Sequence, residues 1–146
     1  AGMTTPSQRA GLKGLRVLVV EDSADNRQLI QHLLERWGIR VETAENGLEG
    51  VQRASSQSYD VVLMDIQMPV CDGLEATKRL RSQGYGVPII ALTAHAMKEE
   101  REKTKQAGCN DHLTKPINPN QLVDAVERWT KQSQQSKSSA QSEASV

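Results

Sequence analysis

Five short apolar segments recur along the chain, separated by longer segments whose apolar residues repeat with helical spacing. Three of the apolar segments, 16–20, 61–64 and 88–92, are nearly uninterrupted, as expected of strands that are covered on both faces of a sheet. Two others, 40–44 and 111–114, are more polar, which favours positions at the sheet edges. The pattern therefore predicts five strands, with the two polar ones outermost.

The segments between these strands are predicted to be helices. The first, 24–37, ends before Gly38, since glycine commonly terminates helices. Its expected buried face consists of Leu29, Ile30, Leu33, Leu34 and Trp37. The other predicted helices are 47–56, 74–82, 97–107 and 118–131, the last with Asn118 as its N-cap and Pro119 in its first turn. Regular alternation of strands and helices predicts an α/β fold with a doubly wound, wholly parallel sheet.

The helix predicted over 97–107 is unusual, because almost nothing between Met97 and Ala107 is apolar enough to anchor it to a core. A solvated surface helix explains this composition. A weakly anchored element is also easily repacked when a neighbouring site changes charge. We keep both interpretations at this point.

Length and composition restrict the classes of protein that need to be considered. A chain of 146 residues suits one domain with a proper core. Eighteen basic and eighteen acidic side chains cancel, so charge gives no reason to expect direct binding of nucleic acid. No apolar run approaches the roughly 20 residues of a membrane span, and no apolar signal segment begins the chain. We therefore expect a cytoplasmic module without membrane contact.

Composition also suggests where the folded domain begins and ends. Residues 1–13 lack periodicity and are interpreted as a disordered segment or a remnant of cloning. Residues 132–146 are rich in Ser and Gln and bury too little apolar surface to fold, so we expect a disordered tail or linker. The domain is then 14–131. Cys71 and Cys109 form no CxxC pair and are expected to be reduced thiols, with Cys71 exposed in a loop.

Polar residues stand where the predicted strands end. Glu21 and Asp22 follow the first strand, Asp65 the third, Thr93 the fourth and Lys115 the fifth. The carboxyl ends of strands in an open parallel sheet form the ligand crevice. Three acids, a hydroxyl and an ammonium group at that edge suggest a cation, a phosphoryl group and a carboxylate nucleophile.

These residues lie in motifs that resemble the response-regulator receiver domain. The motifs are VVEDSADN, VVLMDIQMPVCDG, ALTAHAM and LTKPI, and the resemblance covers 14–131. Their order, with 43, 28 and 22 positions between Asp22, Asp65, Thr93 and Lys115, makes the match specific. The resemblance implies a flavodoxin-like, five-stranded sheet of order 2-1-3-4-5 with five helices. The residues within these motifs are most similar to those of receiver modules of hybrid sensor histidine kinases. A stand-alone single-domain regulator is the alternative.

The resemblance also implies a role for each site residue. Asp65 is the expected phosphoacceptor. Glu21, Asp22, Asp65 and the backbone carbonyl of Gln67 are the expected ligands of Mg²⁺ or Mn²⁺. Lys115 is expected to pair with the acceptor and then with phosphoryl oxygens.

Three further residues are assigned by the same resemblance. Thr93 is the expected switch hydroxyl. The second switch position, usually Tyr or Phe, is His112 here, which puts an aromatic swing mechanism in question. Gln67 and His95 lie where they could modulate the lifetime of the phosphoryl group.

The implied partner is a phosphohistidine on a histidine kinase or a histidine phosphotransfer domain. This partner is expected to dock on the first helix near Asn26 and Arg27. Phosphorylation is expected to alter the 97–131 surface and to allow self-association. The chain has no nucleotide loop or kinase core, so its enzyme class stays open, although receivers catalyse their own phosphorylation and dephosphorylation. A Mg²⁺-dependent phosphatase with an Asp nucleophile is the alternative from another class, but it requires a second Asp where Gln67 stands. A flavin-binding module is disfavoured because the acids would repel the flavin phosphate.

Overall fold

Strands and helices alternate as predicted throughout the part of the chain that the computed structural model describes, 10–68, 71–94 and 97–130. The strands are β1 (Arg16–Val20), β2 (Arg40–Ala44), β3 (Val61–Asp65), β4 (Ile89–Thr93) and β5 (Asp111–Thr114). The helices are α1 (Ala24–Glu35), α2 (Gly47–Ser56), α3 (Gly73–Ser82), α4 (Lys98–Ala107) and α5 (119–130), and a short 3-10 helix (Ala10–Leu12) precedes β1.

All five strands pair in parallel, in the order β2-β1-β3-β4-β5. The predicted strand order, the parallel sheet and the two polar edge strands are confirmed. The register sets Asp65 beside Leu92 and Thr93 beside Thr114. Because the strands run the same way, their carboxyl ends meet at one edge, which is where the polar residues of the sequence stand.

Helices cover both faces of the sheet, so there are two apolar layers. One layer lies between the sheet and α1 and α5, and its fully buried residues include Val17, Val19, Leu63, Ile90, Ile30, Leu34, Leu122 and Val126. The other lies beneath α2 and α3 and includes Leu18, Val20, Val62, Met64, Ile89, Ala91, Ala76 and Leu80. Each buried Val or Leu stabilises the fold by about 1.5–3 kcal/mol relative to exposure. These layers hold the central strands rigidly and so fix the positions of their ends.

The first helix differs from its prediction in length and in its buried face. It ends at Glu35 rather than at residue 37, and Trp37 lies in the turn that Gly38 closes with a φ of 81°. Ile30 and Leu34 are buried as predicted, but Leu29 is 49% exposed, so its assignment to the buried face is wrong. Successive helical residues are about 100° apart, which places Leu29 outside the stripe centred on Ile30 and Leu34.

The folded region begins before the boundary expected at residue 14. Leu12, in the 3-10 helix, is completely buried in the layer beneath α1 and α5. Leu12 lies in a largely polar segment, so it produced no periodic pattern from which a folded element could be predicted. The tail expected over 132–146 lies outside the described residues. Within the described ranges, no helix combines the length and apolar character needed to cross a membrane.

Side-chain caps explain where most of the helices begin. Ser23, Asn46 and Asp72 each accept a hydrogen bond from the backbone N–H three residues ahead, and so start α1, α2 and α3. The predicted N-cap of α5 is confirmed, since Asn118 Oδ1 accepts N–H bonds from Asn120 and Gln121 at 2.9 and 3.1 Å. In contrast, the side chain of Met97 forms no capping hydrogen bond with α4. Most helices are therefore fixed at the end that faces the site, and α4 lacks this device.

The helix α4 also has few buried residues, as predicted, and it is attached mainly at its carboxyl end. Its buried residues are Thr104 and Ala107. The guanidinium of Arg81, on α3, donates to the carbonyl of Gly108 at 3.0 Å and to Oδ1 of Asn110 at 2.8 Å. Arg81 Nη1 also donates to the carbonyls that follow α3, those of Tyr85 and Val87. One side chain thus joins α3 to the segment between α4 and β5.

Replacing Arg81 with Met should lower the free energy of unfolding by about 2 kcal/mol, because several partly buried acceptors lose their donor. Urea denaturation followed by tryptophan fluorescence measures the change. The matched control is Arg79→Met on the same helix, whose exposed ion pair with Glu75 is worth at most about 1 kcal/mol. Equal losses in the two variants would contradict the role of Arg81 as a tertiary anchor.

Candidate functional site

Two acids follow β1 in a loop that is only three residues long. Glu21 is fully buried and its N–H donates to the carbonyl of Ala44 at 3.0 Å, which continues the pairing of β1 with β2. Asp22 is exposed, and Ser23 then caps α1. The N–H of Ser23 also donates to Oε2 of Glu21 at 3.2 Å. The strand and the cap therefore confine both carboxylates to the edge of the sheet.

The third acid, Asp65, is the last residue of β3 and is only 2% exposed. Its Oδ1 accepts a hydrogen bond from the N–H of Gln67 at 3.2 Å. The chain then folds back, so that the N–H of Gly73 donates to the carbonyl of Ile66 at 3.1 Å. A Cβ atom at Gly73 would lie 2.2 Å from the carbonyl oxygen of Asp65, so this close approach requires glycine.

Lys115 joins the two buried acids. Its Nζ lies 2.9 Å from Oε1 of Glu21 and 3.2 Å from Oδ2 of Asp65. Its backbone N–H donates to the carbonyl of Thr93 at 2.8 Å, which extends the pairing of β4 with β5. The structure thus brings Glu21, Asp22, Asp65, Thr93 and Lys115, all chosen from the sequence, to one edge of the sheet.

The two buried carboxylates hold protons with very different affinities. Burial raises the pKa of Asp65 to about 7, and the neighbouring Glu21 adds to this effect. Burial alone would raise the pKa of Glu21 as well, but contacts with Asp65 and Lys115 outweigh it and lower that pKa to about 2. Burial disfavours the ammonium of Lys115, yet the two acids raise its pKa overall. This arrangement therefore disfavours ionisation of Asp65 and favours ionisation of Glu21.

The donor atoms at this edge suit a hard divalent cation. Carboxylate oxygens of Glu21, Asp22 and Asp65 lie within 4.8 Å of one another. Oε1 of Glu21 and Oδ2 of Asp65 are buried and accept no well-directed hydrogen bond, although both are at ion-pair distance from Lys115. The two observations are compatible, because charge attraction depends little on angle whereas a hydrogen bond depends strongly on it. Oxygens that lack a directed donor fit a metal such as Mg²⁺, which prefers carboxylate ligands.

The pattern of the family described as "Response regulator receiver domain" matches residues 17–127. The chain belongs to this family. As a receiver it is similar to a segment of the sensor histidine kinase GacS of Pseudomonas protegens, 40% identical over 130 residues that cover 86% of the chain. The chain spans only 14% of the length of that kinase.

Two solved receiver structures add detail on related proteins. One is the receiver domain of the sensor histidine kinase PA1611 from Pseudomonas aeruginosa, with magnesium coordinated in its active-site cleft. It is 42% identical, with a TM-score of 0.75, and covers 81% of this chain and 98% of that one. The other is the receiver domain of Ssk1 from Saccharomyces cerevisiae, in complex with the histidine phosphotransfer protein Ypd1. It is 33% identical, with a TM-score of 0.76, and covers 80% and 88% of the two chains.

Two of the remaining residues chosen from the sequence, Gln67 and His112, lie in the described part of the chain. Gln67 is exposed directly after Asp65 and Ile66. His112 lies within β5, three residues before Lys115, and its half-buried side chain lines a groove together with Arg101 and Thr104 of α4. His95 falls outside the described residues. Of the two that the structure describes, Gln67 contacts Asp65 through its backbone N–H.

The expected exposure of Cys71 is wrong, because its loop packs against α2. The thiol is 6% exposed, and the carbonyl of Cys71 accepts the N–H of Gly47 at 3.1 Å. A Cβ at Gly47 would lie 2.3 Å from that carbonyl oxygen. Burial raises the pKa of the Cys71 thiol and also that of Cys109, which disfavours the reactive thiolates.

Two glycines were therefore missed as site-forming residues. Gly47 and Gly73 each start a helix against the loop that follows Asp65, and neither position tolerates a Cβ. A glycine directly after an N-cap residue, as in Asn46-Gly47 and Asp72-Gly73, was the available sequence signal. It shows that the backbone must approach closely but does not say what it approaches.

Replacing Asp65 with Asn should raise the melting temperature of the metal-free receiver, corresponding to about 1 kcal/mol of added stability. The folded-state pKa of Asp65, about 7, lies above its ordinary value of 3.8, so ionisation opposes folding. The advantage of the variant should thus be small near pH 4 and grow as pH rises to about 7. Thermal unfolding in the presence of a chelator measures it. A lower melting temperature for the variant at pH 8 would contradict the raised pKa of Asp65.

Proposed function

We propose that this receiver accepts a phosphoryl group from a phosphohistidine onto Asp65 and acts as a switch in the cytoplasm. The observation that carries the proposal is the arrangement of Glu21, Asp65 and Lys115, in which a buried carboxylate lies beside a second acid and an ammonium group. A buried acid pair of this kind costs stability and serves no purpose in packing. It suits a site that binds a cation and a phosphoryl group.

The proposed reaction is an in-line displacement at phosphorus. An oxygen of the Asp65 carboxylate attacks, the P–N bond to the donor imidazole breaks, and its electron pair stays on the imidazole nitrogen. Lys115, already paired with Asp65, favours the ionised nucleophile and then attracts the phosphoryl oxygens. Glu21, Asp22, Asp65 and the backbone carbonyl of Gln67 would hold Mg²⁺ or Mn²⁺, which supplies charge neutralisation when bound.

The switch is proposed to run from Thr93 to the 97–131 surface. Thr93 ends β4 next to the site and is linked through its carbonyl to Lys115. The helix α4, which follows, has a Met97 N-cap without a side-chain bond and buries only Thr104 and Ala107 among the residues described for it. Attraction of the Thr93 hydroxyl by a phosphoryl group would therefore disturb the least anchored helix first. We expect phosphorylation-dependent self-association to use the same surface, with His112 responding as a neighbour of α4.

The rate of loss of the phosphoryl group is proposed to depend on residues at the mouth of the site. Gln67 is exposed and lies two residues after Asp65, so its side chain is accessible to an attacking water. His95 is proposed for the same role from its place two residues after Thr93 in the sequence.

The parent protein is proposed to be a hybrid sensor histidine kinase. This rests on the likeness to a segment of GacS and to the receiver of PA1611, both sensor histidine kinases. A complete transcript that encodes a kinase core ahead of this chain would support the proposal. A transcript of the receiver alone would favour a stand-alone regulator.

The phosphohistidine donor is proposed to dock on α1. Leu29 of this helix is 49% exposed, so packing within the receiver does not account for a large apolar residue at this position. The helix starts at the acidic loop, so a partner seated on it would bring its histidine close to Asp65. The related Ssk1 receiver crystallised with a histidine phosphotransfer protein, which supports a partner of this class.

Acetyl phosphate with Mg²⁺ should give a single phosphoryl adduct on the wild-type receiver and none on Asp65→Asn, as measured by intact-protein mass spectrometry. The reaction should stop when Mg²⁺ is chelated. Asp25→Asn is the matched control, because Asp25 is an exposed acid in the first turn of α1 and should leave the adduct unchanged. An adduct that survives in Asp65→Asn would show that another residue is the nucleophile.

Replacing Leu29 with Ala should slow phosphotransfer from a phosphorylated histidine phosphotransfer domain by about tenfold, since we propose that Leu29 is one of the few central anchors that each contribute more than about 1 kcal/mol to docking. Its reaction with acetyl phosphate should be unchanged, because that donor needs no docking surface. Met97→Ala serves as a control, as Met97 is 64% exposed but lies at the start of α4. Equal slowing by both substitutions would count against docking on α1.

A further inference from the structure

We propose that Arg27 is a positioning residue for the cation site, which it serves by fixing the backbone of the acidic loop. The inference rests on the proposed function, in that it assumes Glu21 and Asp22 bind a divalent ion. It departs from the expectation that Arg27 serves the docking face, because the guanidinium is directed at its own chain.

The guanidinium of Arg27 contacts two loops at once. Its Nη1 donates to the carbonyl of Glu21 at 2.8 Å and to that of Asp22 at 3.1 Å. Its Nη2 lies 3.5 Å from Oε1 of Glu45, in the loop between β2 and α2. The side chain of Arg27 is only 16% exposed, whereas that of Glu45 is 69% exposed. Most of the guanidinium is thus occupied within the receiver.

The two carbonyls belong to the peptide groups on either side of Asp22. A peptide group is planar, so fixing both carbonyls fixes the planes that meet at the Cα of Asp22, and with them its φ and ψ. The direction of the Cα–Cβ bond follows. Asp22 is exposed and in a short loop, so the protein has few other means of holding its carboxylate in one place. Arg27 therefore determines where the most accessible acid of the site points.

Arg27 reaches these carbonyls because of the helix that carries it. Its N–H donates to the carbonyl of Ser23 at 2.9 Å, which places it one turn into α1. Side chains on a helix lean toward its amino end, here toward the acidic loop. Nη1 donates to both carbonyls while Nη2 extends to Glu45, so the planar guanidinium holds the acidic loop and the loop between β2 and α2 with two separate nitrogens, whereas a lysine in the same place has only one.

Charge and geometry act in opposite directions at this position. A guanidinium near the acids repels a divalent cation, so charge alone would make Arg27 unfavourable for metal binding. Its positioning role would favour binding. Arg27→Lys separates the two effects, since it keeps the positive charge and removes the second nitrogen, which holds the side chain in place against Glu45.

The experiment compares Arg27→Lys with the wild type and with Arg36→Lys, a matched control at the exposed far end of α1. Mg²⁺ affinity is measured by isothermal titration calorimetry, and amide hydrogen exchange of residues 21–24 is measured without metal. We expect Arg27→Lys to weaken Mg²⁺ binding by about tenfold, as for other residues that orient metal ligands, and to speed exchange in the loop. Arg36→Lys should change neither quantity.

An unchanged Mg²⁺ affinity in Arg27→Lys would overturn the inference, as would unchanged loop exchange. Failure of the wild type to bind Mg²⁺ would instead refute the proposed function. Glu45→Gln gives a second test in case Arg27→Lys does not fold, because it removes only the exposed partner of the guanidinium. It should weaken Mg²⁺ binding by about twofold, and an unchanged affinity would count against the inference.

Discussion

The contact of Lys115 with both Glu21 and Asp65 is the interaction on which the rest of this receiver depends. Two carboxylates that are almost completely inaccessible to water would repel each other at the ends of β1 and β3. The ammonium lies 2.9 and 3.2 Å from them and belongs to Lys115, the residue directly after the edge strand β5. The two apolar layers hold the strands firmly enough to keep these charges together, although burying two carboxylates lowers the stability of the fold.

The charges at the site also explain the kind of ligand it suits. Three ionised carboxylates and one ammonium sum to a charge of −2, which a divalent cation balances. Without such an ion, burial and the neighbouring Glu21 raise the pKa of Asp65 and so disfavour its ionised form. Ionisation of Asp65 and binding of a divalent cation would therefore be linked, because each would favour the other.

Much of the fold and most of the site followed from local sequence patterns. Uninterrupted apolar runs identified the buried strands, and the polar residues at their ends identified the site, because every parallel strand ends at the same edge. The polarity of β2 and β5 identified them as edge strands, but the order of the three inner strands has no local signal and came only from the family resemblance. The burial of Cys71 depended on the close approach at Gly47, a contact that a loop sequence does not reveal. The targets of Arg27 and Arg81 were hidden for a related reason, since an arginine on a helix does not indicate which carbonyls it will reach.

The uneven attachment of α4 determines how this helix can respond to its surroundings. Its carboxyl end is held near Arg81 by the segment from Gly108 to Asn110, and its amino end has an uncapped start at Met97. A helix of ten residues is about 15 Å long. Pivoting the helix by about 10° around its carboxyl end moves its amino end by about 2.6 Å, while the carboxyl end hardly moves. A partner that contacts the amino end of α4 would therefore encounter a different surface before and after such a pivot. A partner that contacts the carboxyl end would meet nearly the same surface in both cases.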